Sequence, residues 1–199
     1  LFKTESSIEK LKQTILKLAV MGKLVSQDSK DENAENLLKK ISEEKSTLIE
    51  QGLIKNKKAL PNLTQDQFPF QIPSTWAWQK LEVITSTLGD GIHGTPLYDS
   101  RGDYHFINGN NLNGHNIEIK PDTKKVSHDE YEKYKKPLEE TTILVSINGS
   151  IGKVALYNNE KIILGKSACY FNLLGSINRF YVIALIKSEY FLNYALEKA

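Results

Sequence analysis

The sequence predicts an α+β chain: an N-terminal two-helix arm, followed by a mixed, sheet-rich domain that closes on a C-terminal helix. Three observations predict it. Residues 5–52 place apolar side chains at three- and four-residue spacing, residues 104–173 break into short apolar runs separated by Gly and Asn, and residues 178–194 return to helical spacing. The chain has 199 residues, 40% apolar and 25% charged, which suits a soluble protein of one domain with an appendage or two small domains.

In the first helix Ile8, Leu11, Ile15, Leu18 and Val25 form a narrow stripe that Gly22 continues, and Ser6 with Glu9 form a capping box. The second runs from about Asn33 to Gln51, with Asp31 or Asn33 as cap, Leu37, Leu38, Ile41, Leu48 and Ile49 inward, and Gly52 as the stop. The two are expected to pair as a hairpin or arm over residues 1–60. A two-helix stripe buries too little surface to be stable alone, so the arm needs its own chain or a partner to pack against. Residues 61–75 contain Pro61, Pro69 and Pro73 and read as a linker.

The mixed domain is expected over 76–199. Trp76 and Trp78 share parity on a first strand that continues to Leu81 and should anchor a core. Strands then follow at 104–108, 117–119 and 143–147, with a charged helix at 128–136. Residues 154–157 and 162–164 read as a hairpin through Asn158, Asn159 and Glu160, and 169–173 as a further strand. The segment from a cap at Asn178 through Phe180, Ile183, Ile186, Tyr190, Phe191 and Tyr194 reads as one helix packed on that sheet.

Composition narrows the function classes. One cysteine, Cys169, excludes an internal disulfide and fits a reducing, cytoplasmic setting, and no apolar run is long enough to span a bilayer. Net charge is +2: residues 1–69 carry twelve lysines against ten acids, and the remainder fourteen basic against fourteen acidic residues. Neither half is a polycation, so any grip on nucleic acid depends on local arrangement or on a partner. Leu1 and a single methionine at Met21 suggest a fragment or a processed chain.

Motifs that would carry catalysis are incomplete. Gly89, Gly91 and Gly94 fit G-x-G-x-x-G, but Thr95-Pro96 leads into a loop where a dinucleotide fold needs a helix. Gly165-Lys166-Ser167 ends like a phosphate loop, yet Glu160 stands where the first glycine belongs. His93, His105, His115 and His128 lack zinc spacing, and Asp122 with Lys124 does not complete a nuclease site. The lysines at 124, 125, 133, 135 and 136 alternate with acids as a solvated face would. What stands out instead is residues 88–96, 108–111 and 146–153, where Gly alternates with Asn, Ser, Thr and Lys. Glycine permits close approach, and amides and hydroxyls both donate and accept, so these turns suit a polar, extended ligand such as DNA. Asn pairs with adenine in bidentate fashion and Lys reaches phosphate or guanine. The expected DNA-facing residues are His93, Thr95, Asn108, Asn110, Asn111, Ser146, Asn148, Ser150 and Lys153, and the less motif-like stretch 113–136 is expected to carry more of the target choice.

The string LKQTILKLAVMGKLVSQD at 11–28 resembles the helical segment preceding a target recognition domain in specificity subunits of type I restriction and modification systems. ENLLKKISEEKSTLIEQG at 35–52, the stretch from Ile72-Pro73 to Leu81, Gly89 to Pro96, Phe106 to Gly109 and Leu144 to Ala155 are similar to the same family in the same order. The resemblance implies a non-catalytic subunit in which each recognition domain reads one half of a split target and helices set the spacing. It implies that methyltransferase subunits dock on those helices and modify adenine with S-adenosylmethionine. A motor nuclease (restriction) subunit would use ATP and Mg²⁺, and none of these cofactors would bind this chain. A full subunit has two recognition domains and two helical segments, so this chain corresponds to half a reader or to a half-subunit that forms a homodimer. The rival expectations are a fragment of a DNA endonuclease or fused restriction enzyme, and an assembly module that never touches DNA.

Overall fold

The computed structural model describes residues 4–58 and 60–198, of Lys198 only the backbone. The chain divides into two compact units: 1–84 with 174–199, and 85–173 inserted between them. The first unit therefore takes both chain ends, and the expected boundary at 76 does not coincide with the boundary between units.

Among the described residues the first unit is built on four α-helices. Helix α1 (Glu5–Val20) starts at Thr4, whose side chain accepts the Ser7 N–H, so the cap lies two residues before the expected Ser6. It stops where the Lys23 N–H bonds back to Leu18 C=O, which satisfies an end carbonyl and leaves Val25 outside the helix. Helix α2 (Ala34–Glu50) has the expected Asn33 cap, closes the same way with Leu53 N–H on Leu48 C=O, and buries Ile41.

The C-terminal segment is two helices, not one: α4 (Arg179–Lys187), capped by Asn178, and α5 (Glu189–Lys198), separated by an extended Ser188. The expected hairpin of α1 with α2 is replaced by packing of α1 on α4 and α5 and of α2 on a short 3-10 turn at 81–84. Tyr181 links α4 to α1 by donating its hydroxyl to Val20 C=O at 3.0 Å, and burial pushes that phenol up to about 12.

Residues 76–81 do not form the expected strand. Trp76 instead meets the Tyr181 ring edge-on, while Trp78 packs against Phe70 and Tyr190 and donates its indole N–H to Phe70 C=O. They anchor a core as expected, but it is the aromatic core of the helical unit. The unit closes where Leu174 N–H bonds Ile84 C=O.

The inserted unit contains two sheets. Strands β1 (Thr85–Asp90), β4 (Thr142–Ser146), β5 (Val154–Leu156) and β7 (Ala168–Leu173) form an antiparallel sheet in the order β1-β7-β4-β5. Strands β2 (Tyr104–Ile107), β3 (Lys125–Val126) and β6 (Ile162–Leu164) form the second, β3-β2-β6, with β2 and β6 parallel. The expected β5–β6 hairpin is absent because the two strands belong to different sheets. Residues 117–119 contribute only an isolated bridge from Ile117 to Leu112.

Strand parity divides the apolar residues of the β2–β6 pair between two packing layers. Ile107, Ile162 and Leu164 join Leu144, Ala155 and Tyr170 in the main core. On the opposite face Ile163 and Val126 pack beneath Tyr104, Phe106, Tyr131 and Tyr134, the two tyrosines at 131 and 134 supplied by α3 (His128–Tyr134). Strand β4, buried along all five residues, is with β7 one of the two inner strands of the larger sheet.

Candidate nucleic-acid interface

Strand register brings the glycine-bearing turns together. Asp90 at the end of β1 pairs with Cys169, Ser146 at the end of β4 pairs with Ala168, and Val145 pairs with Val154 at the start of β5. Ile107 and Leu164, the last residues of β2 and β6, pair with each other. Loops 91–97, 108–112, 147–153 and 165–167 therefore emerge at one pole of the inserted unit.

Their crossing is centred on Ser167. Its hydroxyl accepts the Gly109 N–H at 2.9 Å and donates to Asn108 Oδ1 at 3.1 Å, while its carbonyl accepts the Ile147 N–H at 3.0 Å. Three loops are thus tied to one residue. Gly91 adds a fourth by donating its N–H to Ala168 C=O, and a Cβ there would collide with the carbonyls of Leu164 and Gly165. Ser167 was absent from the expected site. Its only sequence signal was Gly165-Lys166-Ser167 between two apolar runs, read as a failed phosphate loop.

The nine expected residues fall into two groups. Asn111 is 4% exposed: its Oδ1 accepts the Asn108 N–H, and its Nδ2 donates to Glu118 C=O and Thr123 Oγ1. Ser146 is fully buried and donates its hydroxyl to Ser150 C=O, fixing the β4–β5 turn from beneath. Asn108 is half-buried and engaged with Ser167 and Asn111. These three cannot serve a ligand without breaking internal bonds that are costly to lose. His93, Thr95, Asn110, Asn148, Ser150 and Lys153 are exposed. The β4–β5 turn presents Asn148 and Ser150 through left-handed Gly149 and Gly152, and Lys120 braces Asn110 by donating to its carbonyl.

The electrostatics of the pole are mixed. Lys153 and Lys166 are exposed cations, and Asp90 is held below the usual carboxylate range, first by its hydrogen bond from His93. Burial pushes the Cys169 thiol up to about 11, with Asp90 adding to the shift, which keeps it protonated at neutral pH. Among the described residues no group of three or more His, Cys, Asp or Glu side chains could hold a metal ion. No described helix is long and apolar enough to cross a membrane.

A different surface occurs in the helical unit. Ile8, Leu11, Ile15 and Leu18 lie on α1, each 37–45% exposed. Adjoining grooves of about 570 and 330 Å³ share Gln13, Lys17 and Glu189, and the buried Gln13 Oε1 has no hydrogen-bond partner.

Residues 92–197 match the family model described as the type I restriction modification DNA specificity domain. The chain is 33% identical over 203 residues to the type I restriction enzyme EcoAI specificity subunit of Escherichia coli, covering 97% of this chain and 34% of that protein. It is 50% identical over 91 residues to the EcoEI specificity subunit of Escherichia coli, covering 46% of this chain and 15% of that protein. The chain thus spans about a third of the length of the EcoAI relative. A chain from a solved structure concerned with complex assembly and conformational transition of the type I R-M system aligns with a TM-score of 0.42 at 15% identity, over 92% of this chain and 40% of that one. The match over 92–197, which takes in most of the loop pole and both C-terminal helices, identifies this chain as a member of the type I restriction modification DNA specificity family.

Proposed function

We propose that the loop pole of the inserted unit reads double-stranded DNA, one half of a bipartite target, and that the chain itself is non-catalytic. The observation that carries this reading is the division of labour at the pole. Buried Asn111 and Ser146, half-buried Ser167 and the Gly91 N–H together lock four loops, so that six exposed polar side chains project from a pre-organised frame. Rigid backbone with solvated amide, hydroxyl and ammonium groups at its tips suits base edges and phosphates, because little ordering entropy is lost when they bind. Lys153 and Lys166 would grip phosphate, and Asn110, Asn148 and Ser150 would meet base edges.

The helical unit, in this reading, docks methyltransferase subunits of a type I restriction-modification complex. The exposed α1 stripe supports it, since four large apolar side chains at helical spacing favour a protein partner. S-adenosylmethionine, ATP and Mg²⁺ would be held by the methyltransferase and restriction subunits. The test is a gel shift of the protein with random and target duplexes at several salt concentrations. Binding that weakens with salt and is lost selectively for the target in Asn148→Ala supports the reading, and salt-insensitive or absent binding contradicts it.

A further inference from the structure

The turn that leaves β1 contains a side-chain pair separate from the lock at Ser167. His93 Nε2 is hydrogen-bonded to Asp90 Oδ2, with the two side chains 74% and 45% exposed. The backbone between them is fixed. Asp90 is the last β1 residue and pairs with Cys169; Gly91 N–H bonds Ala168 C=O and Ile92 N–H bonds Leu164 C=O, with Ile92 itself buried. The two Cα positions are therefore set by the sheet, while the imidazole stands in solvent.

The hydrogen bond decides what the free side of that ring offers. An ionised carboxylate can only accept, so Nε2 carries the proton. In neutral imidazole the other nitrogen, Nδ1, is then an acceptor, and among the described residues it has no partner. The His93 bond is the largest of the influences that hold the Asp90 carboxyl down, with Lys136 also favouring its charge; Cys169 and Tyr170 are the other titratable groups that sense Asp90. None of these replaces His93 as its hydrogen-bond partner.

We infer that Asp90 is a positioning residue that fixes the His93 tautomer, and that His93 Nδ1 reads an exocyclic amino group, adenine N6 or cytosine N4, in the major groove. This rests on the DNA-reading function proposed above. The chemistry follows from the groove pattern: adenine and cytosine present an amino donor there, whereas guanine presents only acceptors at N7 and O6.

The test is selection of duplexes from a randomised library by the full protein in the complex in which it purifies. The wild type should prefer adenine or cytosine over guanine about tenfold at one position, a ratio in the range of a single good base contact. Asp90→Asn is nearly isosteric but can donate or accept, so it should hold both tautomers and flatten the preference there. His93→Ala should do the same. Unchanged preferences in both variants would overturn the inference while leaving the DNA-reading function intact. Loss of preference at every position in Asp90→Asn would overturn it too, because the pair would then be supporting the loop and not reading a base. Failure of the wild type to retain any duplex would remove the DNA reading itself, and this inference with it.

Discussion

Helix α1 in one unit and the loop pole in the other both project side chains into solvent, yet they are built on opposite terms. Along α1 the exposed large apolar residues are Ile8, Leu11, Ile15 and Leu18, spaced three or four apart on a single element that packs on α4 and α5. At the pole the exposed residues include Asn110, Asn148, Ser150 and Lys153, drawn from two loops and held by a polar lock in which Asn111 and Ser146 are buried. An apolar stripe gains by excluding water against another protein, whereas polar tips on a fixed frame gain by geometry. Under the proposed function the apolar stripe would meet a protein and the polar tips would meet DNA.

The largest effect should come from the frame. Gly91→Ala drives a methyl group into the backbone of 164–165 and should cost about 3 kcal/mol or more, read as a lower urea midpoint. Asn111→Ala leaves the Asn108 N–H and the Glu118 carbonyl without their partner and should cost about 2 kcal/mol. Its exposed neighbour provides the control: Asn110→Ala should stay within about 0.5 kcal/mol of the wild type. Equal losses at 110 and 111 would erase the distinction between lock and tip.

On the binding side, Asn148→Ala should cost about 1–3 kcal/mol on target DNA and much less on random duplex, while Lys153→Ala should weaken both alike and reduce the salt slope by about 1. Ile15→Lys should shift stability by no more than about 0.5 kcal/mol, since Ile15 is 44% exposed, yet remove the methyltransferase subunit from a pull-down. The smallest effect concerns Cys169. Its raised thiol pKa stabilises the folded state below the ordinary thiol range, and that contribution is lost as pH rises toward about 11. Alkylation by iodoacetamide at about pH 8 should therefore be at least about tenfold slower in the folded protein than after denaturation.

The parts legible in the sequence were those whose causes are local. Asn33 and Gly52 bounded α2 because caps act over one turn, and β2, β4 and β7 were visible as short apolar runs. Pairing was not legible. Residues 154–157 and 162–164 read as a hairpin, but Val154–Leu156 completes the large sheet beside β4 while Ile162–Leu164 runs parallel to β2. Strand β1 was hidden for a related reason. Thr85-Ser86-Thr87-Leu88-Gly89-Asp90 has little apolar character, and it is β7 that supplies the hydrogen-bond ladder that makes it a strand.

At the pole, the sequence singled out the turns but not their inner wiring. Asn110 and Asn111 look alike side by side, yet only Asn111 meets Glu118 and Thr123, and those contacts exist only once the loop has folded back. Ser167 lies fifty-nine residues from Asn108 in the chain, so nothing local could announce the bond between them.

The most direct test of the pole as a DNA reader is a competition titration of target against random duplex for the wild type, Asn148→Ala and Asn110→Ala at fixed salt. The account predicts that both variants keep their folding transition and lose most of the ratio between target and random affinity. A ratio unchanged in both variants, with target DNA still bound, would contradict it.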